Sequence, residues 1–166
     1  MEQLWENLSA MARRLPTLGT VLEFLTLHRN EARLVLAALA AVILLAFTAR
    51  DLRERRRMKG AMTPEEFFEL REKAEGDFVG VYILYNATKR LYYVGQAKRV
   101  LFRVNQHFTG HGNGDVYADY VYRNRFRIKL VKLTESGYED LDALERDMIE
   151  AYHAFSIGYN KNAGNG

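Results

Sequence analysis

Cysteine is absent from the 166 residues. That excludes a disulfide framework, a thiolate metal site and a cysteine nucleophile. The cytosol suits such a chain without being required by it. Proline occurs only twice, at Pro16 and Pro64, and each marks a helix: Pro16 divides or kinks one, Pro64 opens another. A large positive excess is also missing, since the formal net charge is +3. Residues 76–166 hold 12 Lys/Arg against 10 Asp/Glu. They therefore lack the electrostatic footprint of a tight nucleic-acid binder working alone. No Ser/His/Asp arrangement, paired-carboxylate pattern or HExxH motif stands out. The glycine-rich Thr109–Asp115 stretch has no following Gly-Lys-Ser/Thr, so it is not a phosphate-binding loop and reads as a flexible surface loop.

Charge is wholly absent from one further stretch. Leu34 through Ala49 is 16 uncharged residues between Arg33 and Arg50. As a helix this run covers about 24 Å, against a hydrocarbon core of about 30 Å. Arginines at its ends can snorkel to the headgroups. It is apolar all round, so it either spans a membrane or lies buried in a larger assembly. Six of the ten residues Arg50–Lys59 are basic, which places this side of a spanning helix in the cytoplasm. The same run also reads as a solvated helix extension, with Asp51 and Glu54 spaced to pair with Arg55 and Arg57. Upstream, the stripes Leu4, Leu8, Met11, Leu15 and Leu18, Val21, Leu22, Leu25 predict a helical hairpin or an interfacial helix over residues 1–29. The length suits one domain with an appendage. Residues 1–60 form a helical membrane-anchor region with its span at 34–49, 61–76 a linker helix, and 77–166 a folded domain. The alternative is a soluble cytoplasmic protein whose N-terminal helices pack or dimerise.

The remainder is rich in β-branched and aromatic residues. Gly80–Asn86 and Leu91–Gly95, separated by Ala87-Thr88-Lys89-Arg90, read as a β-hairpin. Thr63-Pro64-Glu65-Glu66 is a capping box starting a helix that runs to about Glu75. Val100–Phe108 is a helix with Arg103 and His107 one turn apart. Phe126, Ile128 and Leu130 alternate with Arg125, Arg127 and Lys129, giving a half-buried strand with a basic outer face. A last helix covers about Glu139 to Phe155. On its wheel, with Leu144 at zero, Phe155, Met148, Leu141, Tyr152 and Ile149 fall between about 20° and 140°. Glu145 falls inside that arc. A carboxylate there needs a cation, a metal or a proton; a structural salt bridge would satisfy it as well.

The order of these features carries a resemblance. Gly80-Val81-Tyr82 and, after ten intervening residues, Tyr93-Val94-Gly95 resemble the double signature of the GIY-YIG nuclease family. Arg103 stands eight residues after Gly95 and His107 one turn further, as in the family's helix. Leu144-Glu145 resembles the family's metal-binding glutamate segment, and Gly158-Tyr159-Asn160 its closing asparagine segment. The likeness covers about residues 77–162. Valine replaces isoleucine in both signatures, and Gln96 stands where a small hydroxyl residue is usual. No DNA-recognition module is evident.

The resemblance implies an α+β fold: a small three-stranded antiparallel sheet flanked by helices. It implies hydrolysis of DNA phosphodiester bonds with Mg²⁺ or Mn²⁺ held by Glu145. Tyr82 or Tyr93 would activate the attacking water. Arg103 would steady the scissile phosphate with His107 assisting, and Lys98 and Asn160 would support the substrate. The competing reading is a non-catalytic, membrane-tethered module that binds nucleic acid or a partner and keeps only the fold.

Overall fold

The computed structural model describes residues 29–164. The expected helical hairpin of residues 1–29 thus lies almost wholly outside the described residues. Two compact units divide between Arg56 and Arg57.

In the N-terminal unit, helix α1 begins at Arg29 and continues to Arg57. Helix continues well beyond the apolar run: the stretch long and apolar enough to cross a membrane is Arg33–Arg57, 25 residues, or about 37 Å of helix. Leu34, Val35, Leu36, Leu39, Val42, Ile43, Leu44, Leu45 and Phe47 are all exposed. The basic tail stays helical, and Arg55 Nε donates to Asp51 Oδ2 at 2.8 Å, the expected i,i+4 pair.

The C-terminal unit is built on β1 (Gly80–Asn86), which lies between β2 (Leu91–Ala97) and β3 (Phe126–Lys132) in an all-antiparallel sheet. All seven β1 residues are buried. Alternation sends Tyr82 and Leu84 to one face and Val81, Ile83 and Tyr85 to the other. The first face packs on Phe67, Val100, Leu101, Val104, Phe108, Val116, Phe126 and Ile128. Those residues come largely from α2 (Pro64–Lys73), α3 (Val100–Phe108) and α4 (Gly114–Val121). After a short turn of helix, α5 (Leu133–Ser136), helix α6 (Leu141–Ala151) covers the second face with Leu144 and Ile149. Each such side chain, once buried, stabilises the fold by about 1.5–3 kcal/mol.

The caps explain the helix ends. Thr63 Oγ1 accepts from Glu66 N–H while Glu66 Oε2 accepts from Thr63 N–H, completing the expected box. Helix α3 is capped from a distance: Asp77 accepts from the N–H groups of Leu101 and Phe102 at 2.8 and 2.9 Å. Helix α4 replaces part of what the sequence pattern leaves as loop. Its β-branched and glycine residues are poor helix formers. Asn113 supplies the missing start by accepting from Asp115 and Val116 N–H, and Val116 is fully buried.

Two details differ from the periodic reading. Lys129 is not on a solvent face: its Nζ donates to the Arg57 carbonyl at 3.0 Å. Phe155 lies outside the last helix, because α6 ends at Ala151 and His153 takes a left-handed φ of 53°. Its ring is accordingly exposed.

Candidate active site

A cluster of side chains forms where the N-terminal end of β1 meets the C-terminal end of β2. Tyr82 pairs across the ladder with Gly95. A Cβ on residue 95 would sit 2.4 Å from Tyr82 Oη, so only glycine lets the phenol lie over β2. From there the hydroxyl reaches His107 Nε2 at 2.9 Å. Tyr93 completes the group, its ring centroid 4.8 Å from that of His107 and 6.1 Å from that of Tyr82. Helix α3 supplies both His107, which is fully buried, and half-buried Arg103. The Arg103 guanidinium donates through Nη1 to Gln106 Oε1 at 2.8 Å.

The electrostatics follow from burial beside a cation. Desolvation raises the Tyr82 pKa strongly and Tyr93 adds to this, while Arg103 pulls the other way. Desolvation also raises Tyr93; hydrogen bonding with Tyr82 and the charge of Arg103 lower it, and Glu145 raises it again. Burial and then Arg103 depress His107 to about 4. The histidine is therefore neutral at physiological pH, and Tyr93 feels both the guanidinium and the carboxylate.

Glu145 arrives from α6 at the outer edge of β2. Its Oε1 accepts from Gln96 N–H at 3.1 Å and its Oε2 from Gln96 Nε2 at 3.0 Å. The same Gln96 amide donates to Asp142, one turn earlier on α6. The rest of that strand edge is closed by the C-terminal segment. Tyr159 N–H donates to the Tyr92 carbonyl, and Asn160 both accepts from Val94 N–H and donates to the Val94 carbonyl. An edge strand presents a row of outward N–H and C=O groups. Glu145, Tyr159 and Asn160 answer that row in place of a fourth strand. Close approach is possible because residue 158 is glycine: a Cβ there would lie 2.4 Å from the Tyr92 carbonyl oxygen.

A buried polar knot anchors this C-terminal segment. Tyr159 Oη donates to Asp119 Oδ2 at 2.5 Å, Asn86 Nδ2 donates to the Tyr159 hydroxyl at 2.7 Å, and Lys89 Nζ pairs with Asp119 Oδ1 at 2.5 Å. Desolvation pushes the Asp119 carboxyl upward, but hydrogen bonds from Lys89, Tyr159 and Asn86 outweigh it and hold it below the usual range.

Tyr82, Tyr93, Arg103, His107 and Glu145 are thus grouped at one end of the sheet. A matching family model, the GIY-YIG catalytic domain, spans residues 78–160. The chain belongs to the GIY-YIG family. No curated protein and no solved structure matches it. A GIY-YIG domain is of nuclease type, implies a nucleic-acid partner, and in this family generally works with a divalent metal.

Within this GIY-YIG domain, two expected substrate residues sit differently from the rest. Lys98 is exposed at the turn between β2 and α3, whereas Asn160 spends both ends of its amide on Val94. Gln96, Asp142 and Asn113 lie at the site without having been singled out as site residues by pattern. Gln96 was visible only as a departure from the usual small hydroxyl residue, and Asp142 only as the position three before Glu145. Among the described residues no cluster of three or more His, Asp or Glu could hold a metal ion. Glu145 alone still suits Mg²⁺ or Mn²⁺: these ions favour oxygen ligands and Mg²⁺ commonly takes one or two carboxylates, keeping several waters. Each Glu145 oxygen accepts one hydrogen bond here and retains a further lone pair.

Proposed function

We propose that this protein is a divalent-metal-dependent endonuclease that cuts DNA and is tethered through α1 to the cytoplasmic face of a membrane. The grouping of Tyr82, Tyr93, Arg103 and Glu145 at one end of the sheet carries the catalytic part of this reading. The exposed apolar surface of α1, followed by the basic run to Lys59, supports the tether.

Hydrolysis adds water to phosphorus and breaks one P–O ester bond; the leaving oxygen takes up a proton. Charge gathers on the non-bridging oxygens in the transition state. Arg103 offers a planar fork for those oxygens. The two tyrosines hold and accept the proton of the attacking water, and the nearby guanidinium works against the burial that disfavours the phenolate this requires. Glu145 would hold the divalent ion, which would supply Lewis-acid neutralisation of the phosphate. Gln96 orients that carboxylate through two hydrogen bonds.

The test is nicking of supercoiled plasmid by full-length protein with Mg²⁺ or Mn²⁺. Glu145→Ala and Arg103→Ala should each lower the rate by about 100-fold or more. Undiminished cutting by either variant, or no metal-dependent cutting by the parent, overturns the assignment. A non-catalytic binding module is the second reading, favoured by the engagement of both Glu145 oxygens with Gln96. DNA binding without turnover would establish it.

A further inference from the structure

His107 has two ring nitrogens, and the chain fixes the role of each. Nδ1 lies 2.9 Å from the backbone nitrogen of Asn113. A backbone amide can only donate, so Nδ1 must accept. In the neutral ring the proton then resides on Nε2, which lies 2.9 Å from Tyr82 Oη. We infer that the Asn113 backbone N–H locks His107 in the Nε2–H tautomer, making it a fixed hydrogen-bond donor to Tyr82 and turning the Tyr82 hydroxyl proton away from the imidazole.

Three observations support the lock. Gly112 lies against the ring so closely that a Cβ there would be 2.7 Å from Nδ1. The loop is therefore fitted to the imidazole. Asn113 is itself held as the cap of α4, accepting from two N–H groups, so its amide direction is set by a helix. The charged and titratable groups around the ring are Tyr82 from β1, Tyr93 from β2 and Arg103 from its own helix. Protonating Nδ1 would oppose two N–H groups head-on and add a second cation beside Arg103.

The consequence rests on the nuclease reading and deepens it. A locked Nε2–H cannot take a proton from Tyr82, so His107 is a positioning residue rather than a base. It donates to the Tyr82 oxygen and leaves the Tyr82 hydroxyl to donate onward. Tyr93, the other tyrosine beside the ring, is the one left free of the imidazole's hydrogen bond. The loop after α3, remote from the signature motifs, thereby keeps His107 from serving as the base toward Tyr82.

The experiment is ¹⁵N NMR of the histidine rings in the full-length protein, which has four histidines, with His107→Gln assigning the signal. Expected for His107 is an unprotonated Nδ1 and a proton-bearing Nε2, constant from about pH 8 to 5.5. A Nδ1–H tautomer, a mixture, or an imidazolium ion near neutrality overturns the proposal. Two variants isolate the lock. Asn113→Ala removes the side-chain cap but keeps the N–H. Asn113→Pro, compatible with the observed φ of −76°, removes both. Asn113→Pro should show a tautomer mixture where Asn113→Ala does not, with kcat lower by about tenfold and KM unchanged. Equal tautomers or equal kcat in the two variants refutes the lock. Should Asn113→Pro fail to fold, the wild-type spectrum still decides. Should the wild type cut no DNA, the nuclease reading fails while the tautomer remains measured.

Discussion

Acidification should destabilise this protein through a single buried ring. His107 is fully buried and depressed to about 4, whereas an unfolded histidine titrates near about 6.5. Between those values the unfolded chain binds a proton that the folded chain refuses. Stability is therefore complete above about pH 6.5 and is lost as pH falls toward 4, by a total of about 3 kcal/mol. At pH 4.5 the loss amounts to about 2.5 kcal/mol. The comparison is His107→Gln, whose amide does not titrate and can offer a donor to Tyr82 and an acceptor to Asn113. Every other titratable group, including Asp119, is common to both proteins. The assay is urea unfolding followed by near-ultraviolet circular dichroism of the tyrosines. From pH 7.5 to 4.5 the wild type should lose about 2.5 kcal/mol more than the variant. Parallel pH dependences, or a wild type that gains on acidification, would refute the claim that a neutral histidine is built into the core.

Gly95→Ala should drive a methyl into Tyr82 Oη, costing about 1–3 kcal/mol; differential scanning fluorimetry should show the loss, and cleavage should fall while far-ultraviolet circular dichroism is unchanged. Asp119→Asn should cost about 1–3 kcal/mol by breaking the buried knot that anchors Tyr159, read as a shifted urea midpoint with unchanged slope. Full-length protein should remain in the membrane pellet after an alkaline carbonate wash; recovery in the supernatant without detergent would remove the tether.

The fold was readable wherever period and caps agreed. The hairpin, with its gap at Ala87–Arg90, and helix Val100–Phe108 sit where alternation and the helical wheel place them, because β1 is buried on both faces and α3 on one. Reading failed where tertiary partners override local preference. Helix α4 begins on glycine and exists because Asn113 caps it and Val116 enters the core. Phe155 shares the apolar arc of a longer helix than the one that forms. At the site, Glu145 was conspicuous as a carboxylate among apolar neighbours, and so was the Arg103–His107 spacing. Gln96, Asp142 and Asn113 carry no such mark, since what each does depends on a neighbour distant in sequence.

Those silent residues explain why the conspicuous ones end up together. A three-stranded sheet with β1 in the middle leaves β2 as an edge, and an edge must be answered by something. Here Tyr159 and Asn160 answer Tyr92 and Val94, and Glu145 answers Gln96, so the backbone pairing that protects the edge also brings the carboxylate beside Tyr93. The Asn86–Asp119–Tyr159 knot fixes the segment bearing Asn160 to the hairpin turn. The Gly112–Asn113 loop fixes His107 under Tyr82. Stability and site geometry thus share the same hydrogen bonds. A substitution such as Asn160→Ala should accordingly weaken the fold and displace the site together, whereas Arg103→Ala, which removes a half-buried side chain that bonds Gln106 on its own helix, should lower cleavage and leave the unfolding midpoint nearly unchanged. Equal losses of stability in the two variants would show that Arg103 helps hold the fold rather than serving the phosphate.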